Sequence, residues 1–445
     1  MPHGSLAKEE SSVLTDQRDD GSVWYLIVWG LLLVAAAAIR FRTLGTSLFE
    51  DEVWMADLVR RGGWHPHSYS TPPLFYGVLR AWAALRGLSD ASLREPAAIF
   101  GVALCAAPLA APLSMVSRLN WGVLLAFSSP LLFYSTHLKQ YTLEAFVAAV
   151  LIVLFLHWKQ SESTAVALAF FAVAALGVTT LFCTAFLLPV FALLCIRRPR
   201  MLLGFLLLFG LFGLAYFGWL APGEESTRLH GDMNAYFAAN GRWMTSVPLL
   251  VAATSHWSGQ AMNLVRFWWL VVPLLVMIRI ARTGNASLLA VALVPPLLVA
   301  IASALNLYPY GEVRLMLFCF PGLYLAVAES LAWASQRMPL LLLLLVLFVV
   351  KGLGSDPYNT TYMRVYDLRP LYDFVAVNHH QGETIYATPS IAAPLRHHHP
   401  ELGSSLVEWE PGAPSSPGWY LAPAEHLAGG SPRLEFNGAV VAREP

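Results

Sequence analysis

From residue 24 to residue 352 the chain alternates apolar runs with short polar or charged breaks. The runs fall near 24–39, 96–117, 121–136, 141–157, 164–178, 183–196, 201–220, 264–281, 286–304, 315–334 and 338–352. A span of the hydrocarbon layer takes about 20 apolar residues in helical form. The pattern therefore predicts an all-α polytopic membrane protein with about eleven transmembrane helices. Past Lys351 the pattern changes. Arg369-Pro370 opens a predicted helix through Leu371, Phe374 and Val375, with Pro in the first turn where its missing N–H costs nothing. Short strands bounded by breakers are predicted at Glu383-Thr-Ile-Tyr-Ala-Thr-Pro389, Trp419-Tyr-Leu-Ala422 and Gly438-Ala-Val-Val441. The chain thus divides into a polar tail (1–23), a membrane body (24–352) with an outer loop at 40–95, and a small C-terminal α/β extramembrane domain (353–445). It has no internal repeat.

Composition agrees with this class: 57% of the 445 residues are hydrophobic and only 13% charged, and the mean hydropathy is +0.56. The first run ends in Ile39-Arg40-Phe41-Arg42 and continues straight into an acidic segment, so it reads as a retained anchor, not a cleaved signal. All four cysteines (Cys105, Cys183, Cys195, Cys319) lie inside apolar runs, which implies no disulfide framework. Arg118, Lys159, Arg197-Arg198-Pro199-Arg200, Arg279, Arg282 and Arg337 fall at alternate turns. By the positive-inside rule these turns are cytoplasmic, which places 40–95, 221–263 and the tail after Lys351 outside.

The segment after the first span carries the densest chemistry. Asp51 and Glu52 are adjacent acids flanked by Phe49 and Trp54 at headgroup depth, where acids are costly and are kept for chemistry or ion pairing. They read as a reaction site facing out of the membrane, or else as partners of Arg40, Arg42 or Arg60. On a helix the two side chains diverge by about 100°, so both are not expected on one atom. Lys139 stands where a cation could hold a lipid phosphate or snorkel from a span end. Arg314 offers a bidentate fork for phosphate oxygens, with Glu312 as a competing neutraliser. Arg94, beside Glu95, reads as a brace for the outer loop, and Asp57 as a solvated or ion-pairing residue. Arg396-His397-His398-His399-Pro400 reads as an exposed loop because three consecutive histidines lack metal-ligand spacing. His65 and His67 flank a proline of the outer loop, and sequons stand at Asn285 and Asn359.

Several segments, taken in order, carry a resemblance. Ser47-Leu-Phe-Glu-Asp51-Glu52, Thr71-Pro-Pro-Leu-Phe-Tyr76 and Leu88-Ser-Asp-Ala-Ser-Leu-Arg94-Glu-Pro-Ala-Ala-Ile-Phe-Gly101 are similar to the first outer loop and second span of C-type (GT-C) membrane glycosyltransferases. This family includes protein O-mannosyltransferases and the lipid A aminoarabinose transferase. Ser129-Pro-Leu-Leu-Phe-Tyr134-Ser-Thr-His137-Leu-Lys139-Gln-Tyr141 resembles the family's Glu-x-basic-x-Tyr stretch. Tyr308-Pro-Tyr-Gly-Glu312-Val-Arg314 resembles its late Tyr-Pro…Arg segment.

The resemblance implies transfer of a sugar from a polyprenyl-phosphate donor to a lipid, glycan or protein acceptor at the outer face of a bacterial plasma membrane. It implies Asp51 as catalytic base with Glu52 beside it, and donor-phosphate contacts from Lys139, Tyr141 and Arg314. His67, Arg94, His137 and Tyr310 are candidates to line the substrate path. His137 departs from the family pattern, which has Glu there, and so no metal ligand is carried over. No cofactor is expected, a divalent metal is left open, and no nucleic acid is a partner. A transporter or flippase of a lipid-linked or polar substrate is the alternative, but it usually shows matched inverted halves. An inactive relative is a further one.

Overall fold

The structure, a computed structural model, describes residues 23–42, 44, 45, 48, 50–62, 72–215, 234, 235, 237, 238, 243–263, 273, 274, 276–279, 281, 287–354, 368–409, 417–423, 434–436 and 439–444. His65, His67, both sequon asparagines, the 1–22 tail and most of the run at 264–281 lie outside the described residues.

The membrane body begins with α1 (Val23–Phe41), α2 (Glu50–Arg61), α3 (Pro73–Arg86), α4 (Asp90–Ala106), α5 (Met115–Phe127), α6 (Ser129–Tyr134) and α7 (Tyr141–Ser161). It continues through α8 (Thr164–Thr180), α9 (Leu188–Leu194), α10 (Pro199–Ala215), α11 (Val247–Ala261), α12 (Ser287–Ala304), α13 (Phe320–Ser335) and α14 (Leu342–Gly354). Among the described residues five helical stretches are long and apolar enough to cross a membrane: Val23–Phe41, Asp90–Ala110, Tyr141–Ser161, Ser287–Ala304 and Val313–Ser335. Five further apolar helices are shorter. Several expected bounds are corrected. The run read as 96–117 is interrupted at 111–114, and that read as 121–136 leaves the helix at Ser128.

The break at Ser128 is held by side chains from elsewhere, as backbone at membrane depth requires. Asn263 Nδ2 donates to the carbonyls of Phe127 and Phe348, both at 2.9 Å, and its Oδ1 accepts from Ser129 N at 2.7 Å. Tyr324 Oη donates to Ser128 Oγ at 2.8 Å. At the same end of α5, the fully buried Arg40 donates to the carbonyls of Leu125 and Ala126 at 3.3 Å. It thereby caps a helix C-terminus with positive charge.

Helices in lipid gain little from hydrophobic exclusion and pack where small residues let backbones approach. The stretch Val313–Ser335, which ends in α13, is the centre of this packing, with 83% of its apolar window buried. A Cβ on Gly322 of α13 would fall 2.5 Å from the Val291 carbonyl of α12, so only glycine permits that approach. Trp121 of α5 donates from Nε1 to the Pro321 carbonyl at 3.0 Å, which satisfies the indole where it is buried.

Residues beyond 368 form a second core. α15 (Arg369–Asn378) and α16 (Pro389–His398) pack with a five-stranded sheet of order β2-β1-β3-β5-β4. The strands are β1 (Ile385–Ala387), β2 (Leu406–Glu408), β3 (Gly418–Pro423), β4 (Leu434–Phe436) and β5 (Ala439–Glu444). β1 pairs in parallel with β2 and β3, while β5 pairs antiparallel with β3 and β4. A parallel pair needs a crossover, and α16 supplies it between β1 and β2. Leu371, Val375, Ile391, Leu395, Trp419, Leu421 and Val441 are buried in its interior.

Candidate active site

The site is built around α2. This short helix has Glu50, Asp51 and Glu52 in its first turn and Arg60 and Arg61 in its last, both signs matched to the helix dipole. Adjacent positions point different ways, and the two candidate acids separate accordingly.

Glu52 points inward and is fully buried. Its Oε1 accepts from Arg94 Nε at 2.8 Å and from the Leu138 amide at 2.6 Å, and its Oε2 pairs with Arg94 Nη2. Arg94 also donates to the Leu44 carbonyl at 3.2 Å. Burial by itself would push the Glu52 carboxyl up, but the Arg94 guanidinium and the Leu138 amide hold it below the usual carboxylate range. Glu52, expected beside Asp51 in a positioning or hydrogen-bonding role, makes its hydrogen bonds away from Asp51. Its oxygens are taken by Arg94 and Leu138, and it acts as the joint between α2, α4 and the turn that carries Lys139. Arg94, a candidate for lining the path, is likewise committed to this joint.

Asp51 points the other way and is half-exposed. Its Oδ2 lies 3.1 Å from Arg314 Nη1. Glu312 approaches Arg314 less closely, 3.8 Å from Nε. Neither Arg40, Arg42 nor Arg60 is the partner of Asp51 that sequence proximity offered; Arg60 pairs with Asp57 instead, at 3.2 Å.

Lys139 lies in the turn between α6 and α7 and is buried, which corrects the alternative of a snorkelling side chain. Its Nζ stands 5.8 Å from the ring centroid of Trp54, one turn along α2 from Asp51. Among the described residues no carboxylate is within salt-bridge reach of it. Burial lowers its pKa from the usual lysine value, with Asp51 opposing and Arg314 adding to the effect. Such a cation gains from any anion that reaches it. Tyr141 is buried at the start of α7, edge-on to Tyr134 with centroids 5.5 Å apart.

His137 is a candidate for lining the substrate path. It is buried, packed on Phe133 at 4.3 Å between centroids, with Nδ1 2.7 Å from the Phe133 carbonyl. Burial holds its pKa below the usual histidine value, with Glu52 opposing. Tyr310, also a candidate for lining the substrate path, is held by its own partners. It is buried, and its hydroxyl is shared with Thr254 and Trp257 Nε1, both at 2.9 Å.

Two features escaped the sequence reading. Glu144 is a buried acid on α7, one turn from Tyr141 and facing Cys183; an acid inside an apolar span was the available signal. His397 and His398 lie at the end of α16, not in an exposed loop. Ile391 and Leu395 bury one face of that helix, and the histidines meet Asp57 and Asp90 on the membrane body. Among the described residues no group of three or more His, Cys, Asp or Glu side chains is placed to hold a metal ion.

Asp51, Arg314 and Lys139 thus bring a carboxylate and two basic side chains near one another from three separate parts of the chain. The fold that carries them is GT-C-like, the architecture of membrane glycosyltransferases. The apo structure of ArnT from Cupriavidus metallidurans aligns over 94% of this chain and 97% of that one, with a TM-score of 0.56 and 13% identity. The same protein bound to undecaprenyl phosphate aligns over the same shares with a TM-score of 0.57 and 12% identity. An oligosaccharyltransferase from Archaeoglobus fulgidus, tethered to an acceptor peptide, aligns over 84% of this chain and 63% of that one, with 13% identity and a TM-score of 0.45. No family model and no curated protein matches the sequence. The chain is an integral membrane protein with a glycosyltransferase fold.

Proposed function

We propose that the protein transfers a sugar from a polyprenyl-phosphate donor to an acceptor hydroxyl at the outer face of a bacterial plasma membrane. The observation that carries this reading is the meeting of Asp51 and Arg314 at 3.1 Å beside Lys139, a buried ammonium with no carboxylate in reach among the described residues. A lipid phosphate supplies the missing anion. The undecaprenyl phosphate bound to ArnT supports the choice of lipid.

In this scheme the acceptor oxygen attacks the anomeric carbon as the bond from that carbon to the phosphate oxygen breaks. Asp51 takes the hydroxyl proton. The electron pair of the broken bond leaves on the phosphate, where Lys139 and Arg314 stabilise the added charge. Phosphate leaves readily without protonation, so one carboxylate suffices and the anomeric centre inverts, unlike the two-carboxylate arrangement of glycosidases. Glu52 and Arg94 hold the loop, Tyr141 borders the phosphate site, and no role is assigned to His137 or Tyr310.

The test is a titration of undecaprenyl phosphate into the full-length protein in lipid nanodiscs, wild type against Arg314→Ala and Lys139→Ala. Binding that weakens at least about tenfold in both variants supports the reading, since a charge-assisted phosphate contact is of that order. Equal binding in all three proteins removes the donor site from this cleft.

A further inference from the structure

The C-terminal unit touches the membrane body at the helix that bears Asp51. α2 packs chiefly on α16, and the contact is made by an imidazole. His397, with only 4% of its side chain exposed, has Nδ1 3.4 Å from Asp57 Oδ1 and Nε2 3.7 Å from Asp90 Oδ1. Arg60 Nη1 lies 3.3 Å from the same Nδ1. His398 reaches the other oxygen of Asp90 at 3.7 Å and stacks on Tyr372. Arg369 adds a second tie, donating to the Gly45 carbonyl.

Asp57 and Asp90 are not arbitrary anchors. Asp57 follows Glu52 on α2, and Asp90 precedes Arg94 by one turn on α4, on the same face. Glu52 and Arg94 already join these two helices directly. His397 joins them a second time, standing between one carboxylate from each. Two points of attachment fix the orientation of a short helix where one would leave it free to pivot. Without the imidazole, the two carboxylates would lose the group that stands between them, leaving Arg60 and Arg61 beside Asp57 and Arg94 and His398 beside Asp90.

We propose that His397 is a positioning residue, through which the C-terminal unit clamps α2 against the second span and so sets where Asp51 stands. The clamp itself is geometric; its importance for catalysis rests on the reading of Asp51 given above. His397 touches neither Asp51 nor Arg314, and its effect passes through the helix backbone.

Hydrogen exchange on the full-length protein in nanodiscs tests the clamp without any assumption about substrate. His397→Ala is expected to raise exchange of the Glu50–Arg61 amides at least about tenfold, a local opening, while Ile385–Ala387 and Gly418–Pro423 keep their protection. His397→Gln retains a donor and an acceptor and should restore most of it. Asp57→Asn removes the bridge from the other side and should loosen the same helix. Arg396→Ala, whose side chain faces Glu408 within the C-terminal unit, should change nothing in α2. Unchanged exchange of α2 in His397→Ala overturns the proposal, as does equal loss of protection in the strands, which would make His397 a folding residue of its own unit. Undecaprenyl phosphate binding separates the two readings. If the wild type does not bind it, the donor site fails while the exchange data still decide the clamp.

Discussion

Arg314 Nη1 and Asp51 Oδ2 lie 3.1 Å apart although 263 residues separate them in the chain. Both side chains retain solvent contact, and an ion pair of that exposure contributes roughly 0–1 kcal/mol to stability. The pair is therefore cheap to rearrange. A phosphate entering between Arg314 and Lys139 can take the guanidinium and leave Asp51 free to accept a proton.

Asp51→Asn keeps the size and hydrogen-bonding reach of the side chain but removes its basicity. Sugar transfer should fall ~10²–10⁴-fold, the usual range for loss of a general base. Undecaprenyl phosphate affinity should hold or tighten, because Arg314 loses a competitor. Steady-state turnover and a lipid titration on the same preparation check both halves; near wild-type turnover would move the base elsewhere.

Glu52→Gln should act on stability instead. It leaves the Arg94 charge buried without its counter-ion, a change that costs about 3–5 kcal/mol in buried pairs. Replacing both partners, as in Glu52→Gln with Arg94→Met, should recover much of that. The folded-state pKa of Glu52 is lowered, so its contribution is present above the unfolded carboxylate value and is lost as pH falls through the folded one. Thermal melting across pH, in nanodiscs, measures both effects; a single variant as stable as wild type would dismiss the joint.

Lys139 should give undecaprenyl phosphate binding an alkaline limb. Burial lowers its pKa from the usual lysine value, so the ammonium loses its proton at lower pH than a free lysine does. Affinity should decline as pH rises through that point. Lys139→Arg, charged throughout, should abolish the limb, and Lys139→Ala should show weak binding without it. A limb that persists in both variants assigns the titration to another group.

The basic short loops imply a cytoplasmic N-terminus and an external C-terminal unit. A compartment-sensitive reporter fused after Pro445 should report the outer side. A cytoplasmic signal there would invert the topology and place Asp51 on the wrong face for an outer-leaflet donor.

The apolar runs were legible because hydropathy is local, but where a helix yields is not. The run read as 121–136 breaks at Ser128 because Asn263, far along the chain, supplies the hydrogen bonds that let the backbone leave the helix. The motif around Asp51 could be read as a reaction site, yet its ionic partner could not. Arg40, Arg42 and Arg60 are close in sequence, whereas Arg314 is close only after the helices assemble. Likewise the histidine run looked like exposed chain because nothing local shows that Ile391 and Leu395 will be covered by a sheet, or that Asp57 and Asp90 will wait on the other side. Three of the five strands of the C-terminal unit fall where breakers indicated, at Ile385–Ala387, Gly418–Pro423 and Ala439–Glu444, while Leu406–Glu408 and Leu434–Phe436 were not expected.

The first span meets the rest of the protein along a single stripe, Trp29, Leu32, Ala36 and Arg40, and only 22% of its apolar window is buried. Trp24, Leu26, Leu31 and Val34 face outward. Acyl chains are thus a structural component on that side, and their thickness and fluidity set how firmly the helix is seated. Delipidation by a short-chain detergent would loosen α1 before the central helices. Arg40 would then release the carbonyl end of α5, which is separated only by the short helix α6 from the turn that bears Lys139, so the choice of solubilising agent becomes a variable of the proposed reaction centre itself.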